Sequence, residues 1–383
     1  MREEDSMKII HTSDWHFGMP IGTDNYEDCQ RYFLDQLYDL IQKEKVEAVL
    51  CAGDIYDSSV TKADAIKLFN EAATTLCVQL GVKFILIAGN HDSAARLSSC
   101  SELLKAAGMY VFGNLTREVE PVLLDGGRTA VYCLPYFTRD EAASLFPEKK
   151  EEIRSMEDAF RIVCDHVREE MDPQRKNILM AHAFIVDAEL SESDRSAKVG
   201  NASAVPKSVF DGFDYVALGH IHKPQVISPT IRYSGTPIKY SFGAEESQEK
   251  GVVLINTDTM EQTFVKLPLL RDRKTVKGTY EEILANEEIQ NDYLRLEITD
   301  RYAGLELYSE LKERFPYLLE LSGKSLGQEQ SGTSLSVEEL ETLDDKDIML
   351  KFLEENFGCT PDEEQKKLFQ QALEAYEKEE DLG

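Results

Sequence analysis

Hydrophobic residues in the first part of the chain form short continuous runs that alternate with longer stretches of helical spacing. The runs Lys8–Asp14, Glu47–Tyr56 and Lys83–Asn90 predict buried strands, since a strand covered on both faces is largely apolar. The stretches Asn25–Glu44 and Lys62–Leu80 predict amphipathic helices, because their apolar residues recur every three or four positions. This alternation predicts an α/β fold whose central sheet is covered by helices on both faces.

The alternation continues through the next hundred and more residues. Glu151–Met171 predicts a longer helix, and Asn177–Ile185 and Asp214–His220 predict two further strands. Val226–Ser234 and Val252–Leu267 predict hairpin-like pairs, because turn residues separate their apolar segments. We therefore assign the first 270 residues to one α/β sandwich domain.

The composition changes after that point, which indicates a second, smaller domain. Residues 271–321 predict an α+β unit, with a strand near Tyr293–Ile298 and a helix near Leu305–Arg314. Residues 322–336 are rich in Gly, Ser and Gln, and this composition predicts a linker.

The C-terminal segment, residues 337–383, predicts a pair of amphipathic helices separated by Gly358 and Pro361. It is acidic: from Glu338 onward it has 16 acidic and 5 basic residues, a net charge of −11. The apolar faces of these helices either fold back on their own domain or dock a helix of a partner protein. The pattern leaves both interpretations open.

The whole chain has a formal charge of −29. Proteins that hold nucleic acid through a broad basic face carry the opposite charge, so this value argues against that kind of binding. Divalent cations bound in a site, or a basic partner, could supply the positive charge that a phosphate substrate requires.

Cysteine usage and hydropathy bear on the compartment. The seven cysteines are odd in number and form no CxxC pair, which argues against structural disulfides and a thiolate zinc site. No run approaches the roughly 18 apolar residues of a membrane helix, and the first six residues lack the apolar segment of a secretory signal. We expect a cytoplasmic protein that does not enter a membrane.

Polar clusters stand at the ends of five predicted strands, where an open α/β sheet collects its ligands. Each cluster alone is weak evidence, because an Asp after a strand often caps a helix and a lone His is often structural. Together they contain five of the seven histidines. Of the other two, we expect His11 to pack beneath the site and His166 to lie on a helix surface. The clusters are Asp14-Trp15-His16, Gly53-Asp54, Gly89-Asn90-His91-Asp92, His182 and Gly219-His220-Ile221-His222.

These clusters predict a site for two divalent cations. Residues i and i+2 of an extended turn point the same way, so Asp14 and His16 can share one cation. Asp54 is the natural bridging ligand, because a single Asp follows the central strand. Mixed carboxylate, amide and imidazole ligands suit manganese first, with iron, zinc or magnesium as alternatives. Two cations about 3.5–4 Å apart would polarise a phosphate and lower the pKa of a shared water.

His91 and Asp92 are candidate catalytic residues beside these ligands. His91 points to the side opposite Asn90, where it could contact the phosphate or protonate the leaving oxygen. Asp92 either orients the imidazole of His91 or caps the helix that follows, and the two roles are compatible.

The full pattern resembles the signature of the calcineurin-like metallophosphoesterases. The resemblance implies a four-layer α/β/β/α sandwich with a dinuclear metal centre, and it matches His91 to the catalytic histidine of that family. The implied ligands are Asp14, His16, Asp54 and His222 for one cation, and Asp54, Asn90, His182 and His220 for the other.

Longer stretches are similar to the SbcD family, the nuclease subunits of bacterial SbcCD complexes. This resemblance covers most of the first 270 residues, and beyond them it is one of layout only. It implies a DNA nuclease for repair and recombination, with 3′→5′ exonuclease activity on duplexes and endonuclease activity on single strands and hairpins. It also implies a homodimer formed by the first domain, a capping domain that shapes the DNA groove, and tail helices that bind an SbcC-like coiled-coil ATPase. The stretches are HTSDWHFG at 11–18, CAGDIYD at 51–57, FDGFDYVALGHIHKPQ at 210–225 and YSGTPI at 233–238.

One position departs from the wider family. Asp57 stands where archaeal relatives have a second active-site histidine. An ionised carboxylate cannot donate a hydrogen bond to a phosphate, which argues against a two-histidine mechanism in this chain.

Basic residues near the last metal motif and at the start of the capping domain are candidate DNA contacts. The alternative for each is a solvated surface cation. The run from Arg271 to Lys277 is the strongest group, since we expect the cap to meet the catalytic face there. The candidates are Lys223, Arg232, Lys239, Arg271, Arg273, Lys274 and Lys277.

Two rival functions belong to other classes. A phosphomonoesterase or cyclic-nucleotide phosphodiesterase could use the same fold, but it would need a closed pocket instead of an open groove. A structural protein without catalysis would typically lack some ligands. All seven candidate ligands are present in this chain, which argues against the second rival.

Overall fold

The computed structural model describes residues 6–22, 24–186, 188–194 and 204–324. The chain divides into two compact units, the first ending at Arg273 and the second beginning at Lys274. The predicted tail helices of residues 337–383, and the predicted linker beyond Lys324, lie outside the described residues. Within the described ranges, no helix combines the length and the apolar character that a membrane span requires.

The first unit contains both strands and helices, which alternate most regularly between β1 and β6. Its strands are β1 Lys8–Thr12, β2 Pro20–Ile21, β3 Asp24–Asn25, β4 Ala48–Ala52, β5 Lys83–Ile87, β6 Met109–Phe112, β7 Val122–Leu124, β8 Thr129–Leu134, β9 Lys176–His182, β10 Tyr215–Gly219, β11 Gln225–Ser228, β12 Ile231–Tyr233, β13 Gly251–Asn256 and β14 Gln262–Lys266. Its α-helices in the described residues are α1 Glu27–Glu44, α2 Ala63–Thr74, α3 Ala94–Leu97, α4 Ser101–Ala106, α5 Arg139–Leu145 and α6 Met156–Glu170.

Most of these strands form two six-stranded mixed sheets. The first has the order β14-β13-β1-β4-β5-β6, in which β1, β4, β5 and β6 are parallel. The second has the order β11-β12-β10-β9-β8-β7, in which β8, β9, β10 and β12 are parallel. Apolar side chains from both sheets, among them Leu50, Ile85, Ile178 and Met180, form one buried cluster between them. The sheets therefore pack face to face as a sandwich.

Helices cover the outer face of each sheet. The ring of Phe69 on α2 packs against Phe84 of β5 with 6.4 Å between the ring centroids. On the other side, Phe160 of α6 shares a buried cluster with Leu179 of β9. The four layers are thus helix, sheet, sheet and helix. This confirms the predicted sandwich, with two sheets in place of the single central sheet that the apolar pattern first indicated.

His11 of β1 joins the two sheets in the core. Its Nε2 donates a hydrogen bond to the carbonyl oxygen of Leu218 at 3.1 Å, and its Nδ1 accepts one from the Tyr215 hydroxyl at 2.8 Å. The residue is fully buried, as we expected for a histidine packed beneath the site. Burial lowers the pKa of His11 to about 3, from an ordinary value of 6.5.

This pKa predicts a loss of stability in mild acid. Between pH 6.5 and pH 3 the unfolded chain binds a proton at His11 that the folded chain does not. As the pH decreases through this interval, the free energy of unfolding should therefore decrease by up to about 1.4 kcal/mol per pH unit from this residue alone. Chemical denaturation at pH 7 and pH 5 of the protein and of His11→Gln measures the effect. We expect the variant to lose less stability over this interval, and equal losses would contradict the assignment.

The second unit contains a small three-stranded sheet of order β15-β16-β17. Its elements are β15 Arg273–Gly278, α7 Tyr280–Leu284, β16 Tyr293–Tyr302, α8 Leu305–Arg314 and β17 Leu318–Lys324. Leu296, Leu311 and Phe315 belong to its own buried cluster. Strand β17 continues three residues into the predicted linker, because Ser322 still pairs with Glu297 of β16. The linker prediction is therefore wrong at its first three residues.

Candidate metal centre

The predicted ligands converge at one edge of the sandwich, where the carboxyl ends of β1, β4, β5, β9 and β10 lie. Backbone hydrogen bonds join neighbouring segments there, such as the bond from the Asp14 N–H to the Gly53 carbonyl oxygen at 2.9 Å. Contacts also cross between the sheets. The Nδ1 of His182, after β9, donates to the carbonyl oxygen of Ala52 at 2.9 Å. The backbone N–H of His220 donates to Asp14 Oδ1 at 3.0 Å.

One group of ligand atoms comes from Asp14, His16 and His222. One ligand atom from each residue lies within 4.8 Å of the others, and all three side chains are buried. The Nε2 atoms of His16 and His222 are 3.1 Å apart. Asp54 Oδ2 lies 3.8 Å from His16 Nε2.

A second group comes from Asp54, His182 and His220, whose ligand atoms again lie within 4.8 Å of one another. Asp54 Oδ2 is 3.4 Å from His182 Nε2. Asn90 Oδ1 completes the group, at 3.0 Å from His182 Nε2 and 2.9 Å from His220 Nδ1. Asp54 therefore borders both groups, and all seven predicted ligands are brought together.

The donor set fits divalent cations. Asp14 Oδ2 is buried and has no hydrogen-bond partner among the described residues. A buried carboxylate oxygen without a partner is costly, and a cation would satisfy it. Burial raises the pKa of Asp14. Burial would also raise the pKa of Asp54, but the neighbouring His182, His16 and His91 hold it well below its usual range.

Four of the predicted ligands have backbone angles in the left-handed region. The φ angles are 54° at Asp14, 45° at His16, 50° at Asp54 and 100° at His220. Such conformations cost on the order of 1–3 kcal/mol each and are concentrated at functional sites. They turn each side chain sharply as it leaves its strand.

Two glycines allow the turns to approach one another. A Cβ atom on Gly89 would overlap Asp54 Oδ1, and one on Gly219 would overlap the Ala52 carbonyl oxygen. No side chain fits at either position, so the Gly-Asn and Gly-His motifs require glycine for close packing.

His91 lies beside the two ligand groups, and one of its ring nitrogens already makes a hydrogen bond. Its Nδ1 donates to the carbonyl oxygen of Asp57 at 2.8 Å, and its backbone N–H donates to Asp54 Oδ1 at 2.9 Å. The ring centroids of His91 and His16 are 5.0 Å apart. The Nε2 of His91 is therefore the nitrogen that remains for a phosphate or a leaving oxygen.

Asp92 makes different contacts from those we predicted. Its carboxylate accepts three backbone N–H groups, from Ile55 at 3.1 Å, Tyr56 at 2.9 Å and Gly89 at 2.9 Å. Burial and the neighbouring charge of Asp54 raise the pKa of Asp92 to about 7, against these hydrogen bonds. The carboxylate joins the two ligand-bearing turns, and neither orients the His91 ring nor caps helix α3. Both predicted roles of Asp92 are corrected here, because His91 Nδ1 already donates to the Asp57 carbonyl oxygen and the N-cap residue of α3 is Ser93.

A buried charged network supports His222, and sequence reasoning missed it. His222 Nδ1 hydrogen bonds to Ser193 Oγ at 2.7 Å, and Ser193 Oγ also donates to Glu245. Lys250 Nζ donates to the His222 carbonyl oxygen at 2.8 Å. Burial would raise the pKa of Glu245, but Lys250 and His222 lower it to about 2. Such partners fix the orientation of a metal-ligating histidine.

The predicted DNA contacts fall into different environments. Lys239 is buried, with its Nζ at 2.7 Å from both the Glu246 carbonyl oxygen and Asp272 Oδ1. Arg273 is also buried and lies over the ring of Phe242 at 4.6 Å. Neither side chain is available to a phosphate, so we remove both from the candidates.

The other candidates remain closer to the surface or in the second unit. Lys223 pairs with Glu189, and Arg232 lies over the Phe264 ring at 5.5 Å. Arg271 is 13% exposed, beside Asp28. In the second unit, Lys274 pairs with Asp292 at 2.8 Å, whereas Lys277 is 71% exposed and lies 3.4 Å from Glu297.

Comparison with known proteins assigns this chain to a family. The calcineurin-like phosphoesterase model matches residues 7–224, more than half of the chain. A second model, the type 5 capsule protein repressor C-terminal domain, matches residues 270–357. The chain therefore belongs to the calcineurin-like phosphoesterases.

Curated relatives narrow the assignment. The SbcD subunit of the SbcCD nuclease of Staphylococcus epidermidis is 31% identical over 353 residues, which cover 90% of this chain and 92% of that protein. The corresponding protein of Staphylococcus saprophyticus is 31% identical over 354 residues, with the same coverage. Within the phosphoesterases, this chain belongs to the SbcD family. The resemblance drawn from the sequence is thereby confirmed.

The fold also has a distant likeness to a solved structure. A dimetal phosphatase from Danio rerio has a TM-score of 0.37 and 12% identity, over 60% of this chain and 86% of that protein. A likeness of this size adds nothing to the family assignment.

Proposed function

We propose that this chain is the nuclease component of an SbcCD-type complex and hydrolyses phosphodiester bonds of DNA. Its membership in the SbcD family supports the nuclease activity. The observation that carries the chemistry is the arrangement of two ligand groups on either side of Asp54. Two ligand groups that share a bordering carboxylate fit the pair of closely spaced cations that a two-metal phosphoesterase uses.

The residues around Asp54 have separate tasks in this proposal. Two divalent cations held by the seven ligands would polarise the phosphate and activate a water for in-line attack. His91 supplies Nε2 as the group that contacts the phosphate or protonates the leaving oxygen, because Asp57 holds the other nitrogen. Asp92 holds the turn that carries His91 against the turn that carries Asp54.

Manganese is the metal that we propose. The donor set combines imidazole nitrogens with carboxylate and amide oxygens, which suits Mn²⁺ and also iron or zinc, whereas magnesium prefers oxygen ligands. Comparing activity and bound metal after reconstitution with each cation separates these alternatives.

The proposed substrate and partners extend the resemblance to the SbcD family, whose staphylococcal members are named as subunits of an SbcCD nuclease. We propose 3′→5′ degradation of duplex ends and cleavage of single strands and hairpins, with an SbcC-like ATPase bound through residues 337–383 and a homodimer formed by the first unit. The charge of −29 supports a division of labour, in which the ATPase holds DNA and this chain cuts it. The six cysteines of the described residues are free thiols, which supports the cytoplasmic location.

Parallel assays test the proposed substrate. With Mn²⁺ we expect the full-length chain, alone or with its ATPase partner, to cleave an end-labelled DNA hairpin, and EDTA to stop the reaction. A nitrophenyl phosphate monoester and a cyclic nucleotide should react far more slowly than the hairpin. Hydrolysis of either small substrate without any DNA cleavage would favour the rival phosphoesterase function.

A further inference from the structure

A third group of polar side chains lies beside the two ligand groups. It consists of His16, Asp57 and His91, with one ligand atom of each within 4.8 Å of the others. Two ring nitrogens of this group already have partners: His16 Nε2 lies 3.1 Å from His222 Nε2, and His91 Nδ1 donates to the Asp57 carbonyl oxygen. Asp57 thus lies between a predicted metal ligand and the predicted catalytic histidine.

The backbone fixes Asp57 in this position. The N–H of Phe17 donates to the Ile55 carbonyl oxygen at 2.9 Å, and the N–H of Asp57 donates to the Phe17 carbonyl oxygen at 3.2 Å. These bonds form a parallel bridge between Phe17 and Tyr56. The segment that carries Asp57 therefore runs alongside the segment that carries His16.

The Asp57 carboxylate faces Nδ1 of His16, the ring nitrogen that does not face His222. Asp57 Oδ1 lies 3.6 Å from His16 Nδ1, which is buried and has no hydrogen-bond partner among the described residues. A neutral imidazole binds a cation through one nitrogen only when its proton is on the other. A carboxylate next to Nδ1 favours the proton there and leaves the Nε2 lone pair for a cation.

The Asp57 carbonyl has the corresponding effect on His91. A carbonyl oxygen can only accept, so the 2.8 Å contact requires a proton on His91 Nδ1. The side chain and the main chain of one residue therefore act on two different histidines.

We propose that Asp57 is a positioning residue that sets the tautomers of both histidines, that of His16 through its carboxylate and that of His91 through its carbonyl oxygen. This inference rests on the proposed two-cation site. Substitution of the side chain separates the two effects, because every residue at position 57 retains the carbonyl group.

The expected change is in cation affinity at the group that contains His16. Asp57→Ala removes the carboxylate and should weaken binding there about 10–100-fold, the range for loss of a partner of a metal-ligating histidine. Binding at the group that contains His182 should not change. Asp57→Asn keeps an oxygen that can accept from His16 Nδ1, so it should restore most of the affinity.

Manganese titration of the full-length chain, monitored by calorimetry and by electron paramagnetic resonance, tests this inference. The unaltered protein should bind two coupled Mn²⁺ ions, whereas Asp57→Ala at limiting Mn²⁺ should show the uncoupled signal of one. Asp64→Ala, which removes an exposed acidic residue of α2, is the matched control for the loss of charge.

The outcomes separate the inference from the proposed function. If the unaltered protein binds no pair of ions, the two-cation site itself is wrong. If it binds the pair and Asp57→Ala does so with equal affinity, the positioning role is wrong. Equal weakening in Asp64→Ala would assign the effect to net charge and also overturn it. Should Asp57→Ala fail to fold, the titration of Asp57→Asn replaces it. The Mn²⁺ affinity of Asp57→Asn should lie within about tenfold of the affinity of the unaltered protein, and a larger loss would contradict the inference.

Discussion

Asp54→Asn is expected to abolish DNA hydrolysis while leaving the fold intact. The Oδ2 atom of Asp54 lies 3.4 Å from His182 Nε2 and 3.8 Å from His16 Nε2, so it borders both ligand groups. A carboxamide is neutral and has one oxygen, and that oxygen can still accept the backbone N–H of His91 at the position of Oδ1. Turnover should fall by more than about 100-fold, the upper range for removing a group that merely orients a metal ligand.

Hairpin cleavage with Mn²⁺ measures this loss, with circular dichroism and thermal unfolding to verify the fold. Asp140→Asn is a suitable control, because the side chain of Asp140 is 82% exposed and belongs to helix α5. Undiminished manganese-stimulated cleavage by Asp54→Asn would remove Asp54 from the chemistry.

His91→Leu should produce a different defect, in which both cations bind and turnover is lost. His91 makes its Asp54 contact through the backbone N–H, which leucine retains. The variant loses the imidazole, and general acid catalysis of this kind contributes about 10²–10⁴-fold to the rate. We expect kcat to fall by that factor without a comparable fall in bound metal.

Metal analysis and kinetics on the same preparation distinguish these effects. His166→Leu serves as the control, since His166 lies on helix α6 against the Phe146 ring, outside the ligand groups. Normal turnover by His91→Leu would end the proposed role, and loss of metal in parallel with activity would make His91 a part of the metal site.

The sequence pattern predicted the elements that carry the site. Strands β1, β4, β5, β9 and β10 were each predicted as apolar runs, because each is buried on both faces of its sheet. The position in the sequence where polar residues begin therefore predicts the carboxyl end of each strand. The helix predicted at Leu305–Arg314 has the same bounds in the structure.

Shorter elements escaped the pattern for a physical reason. Strands β6 and β7 were not predicted, and with four and three residues they are too short to establish a period. Strand β8 was also not predicted, although it has six residues and length does not explain the omission. Helix α2 ends at Thr74, and its predicted last turn is a π-helical turn at Thr75–Gln79, which apolar spacing does not distinguish from an α-helix.

Contacts between distant segments were the least predictable part of the site. The bond between Ser193 and His222 spans 29 residues, and the one between Lys250 and the His222 carbonyl spans 28. No local spacing identifies such partners. The burial of basic side chains is equally hard to predict from the sequence. For this reason Lys239 and Arg273 were counted among the DNA contacts, although both are buried.

The contacts of Asp92 were also not predictable from the sequence, although they involve a nearby turn. A polar residue two positions after Asn90 could cap a helix, orient a neighbouring ring or accept backbone N–H groups, and all three roles suit an aspartate. The third occurs, because the turn after β5 packs against the turn after β4 and both present N–H groups to the carboxylate.

An anomalous-scattering map of manganese-soaked crystals tests the dinuclear site most directly. Two peaks about 3.5–4 Å apart are expected, one beside Asp14, His16 and His222, the other beside Asn90, His182 and His220, with Asp54 between them. A map at saturating Mn²⁺ with no peak among these seven side chains, or with a single peak that does not contact Asp54, would contradict the account.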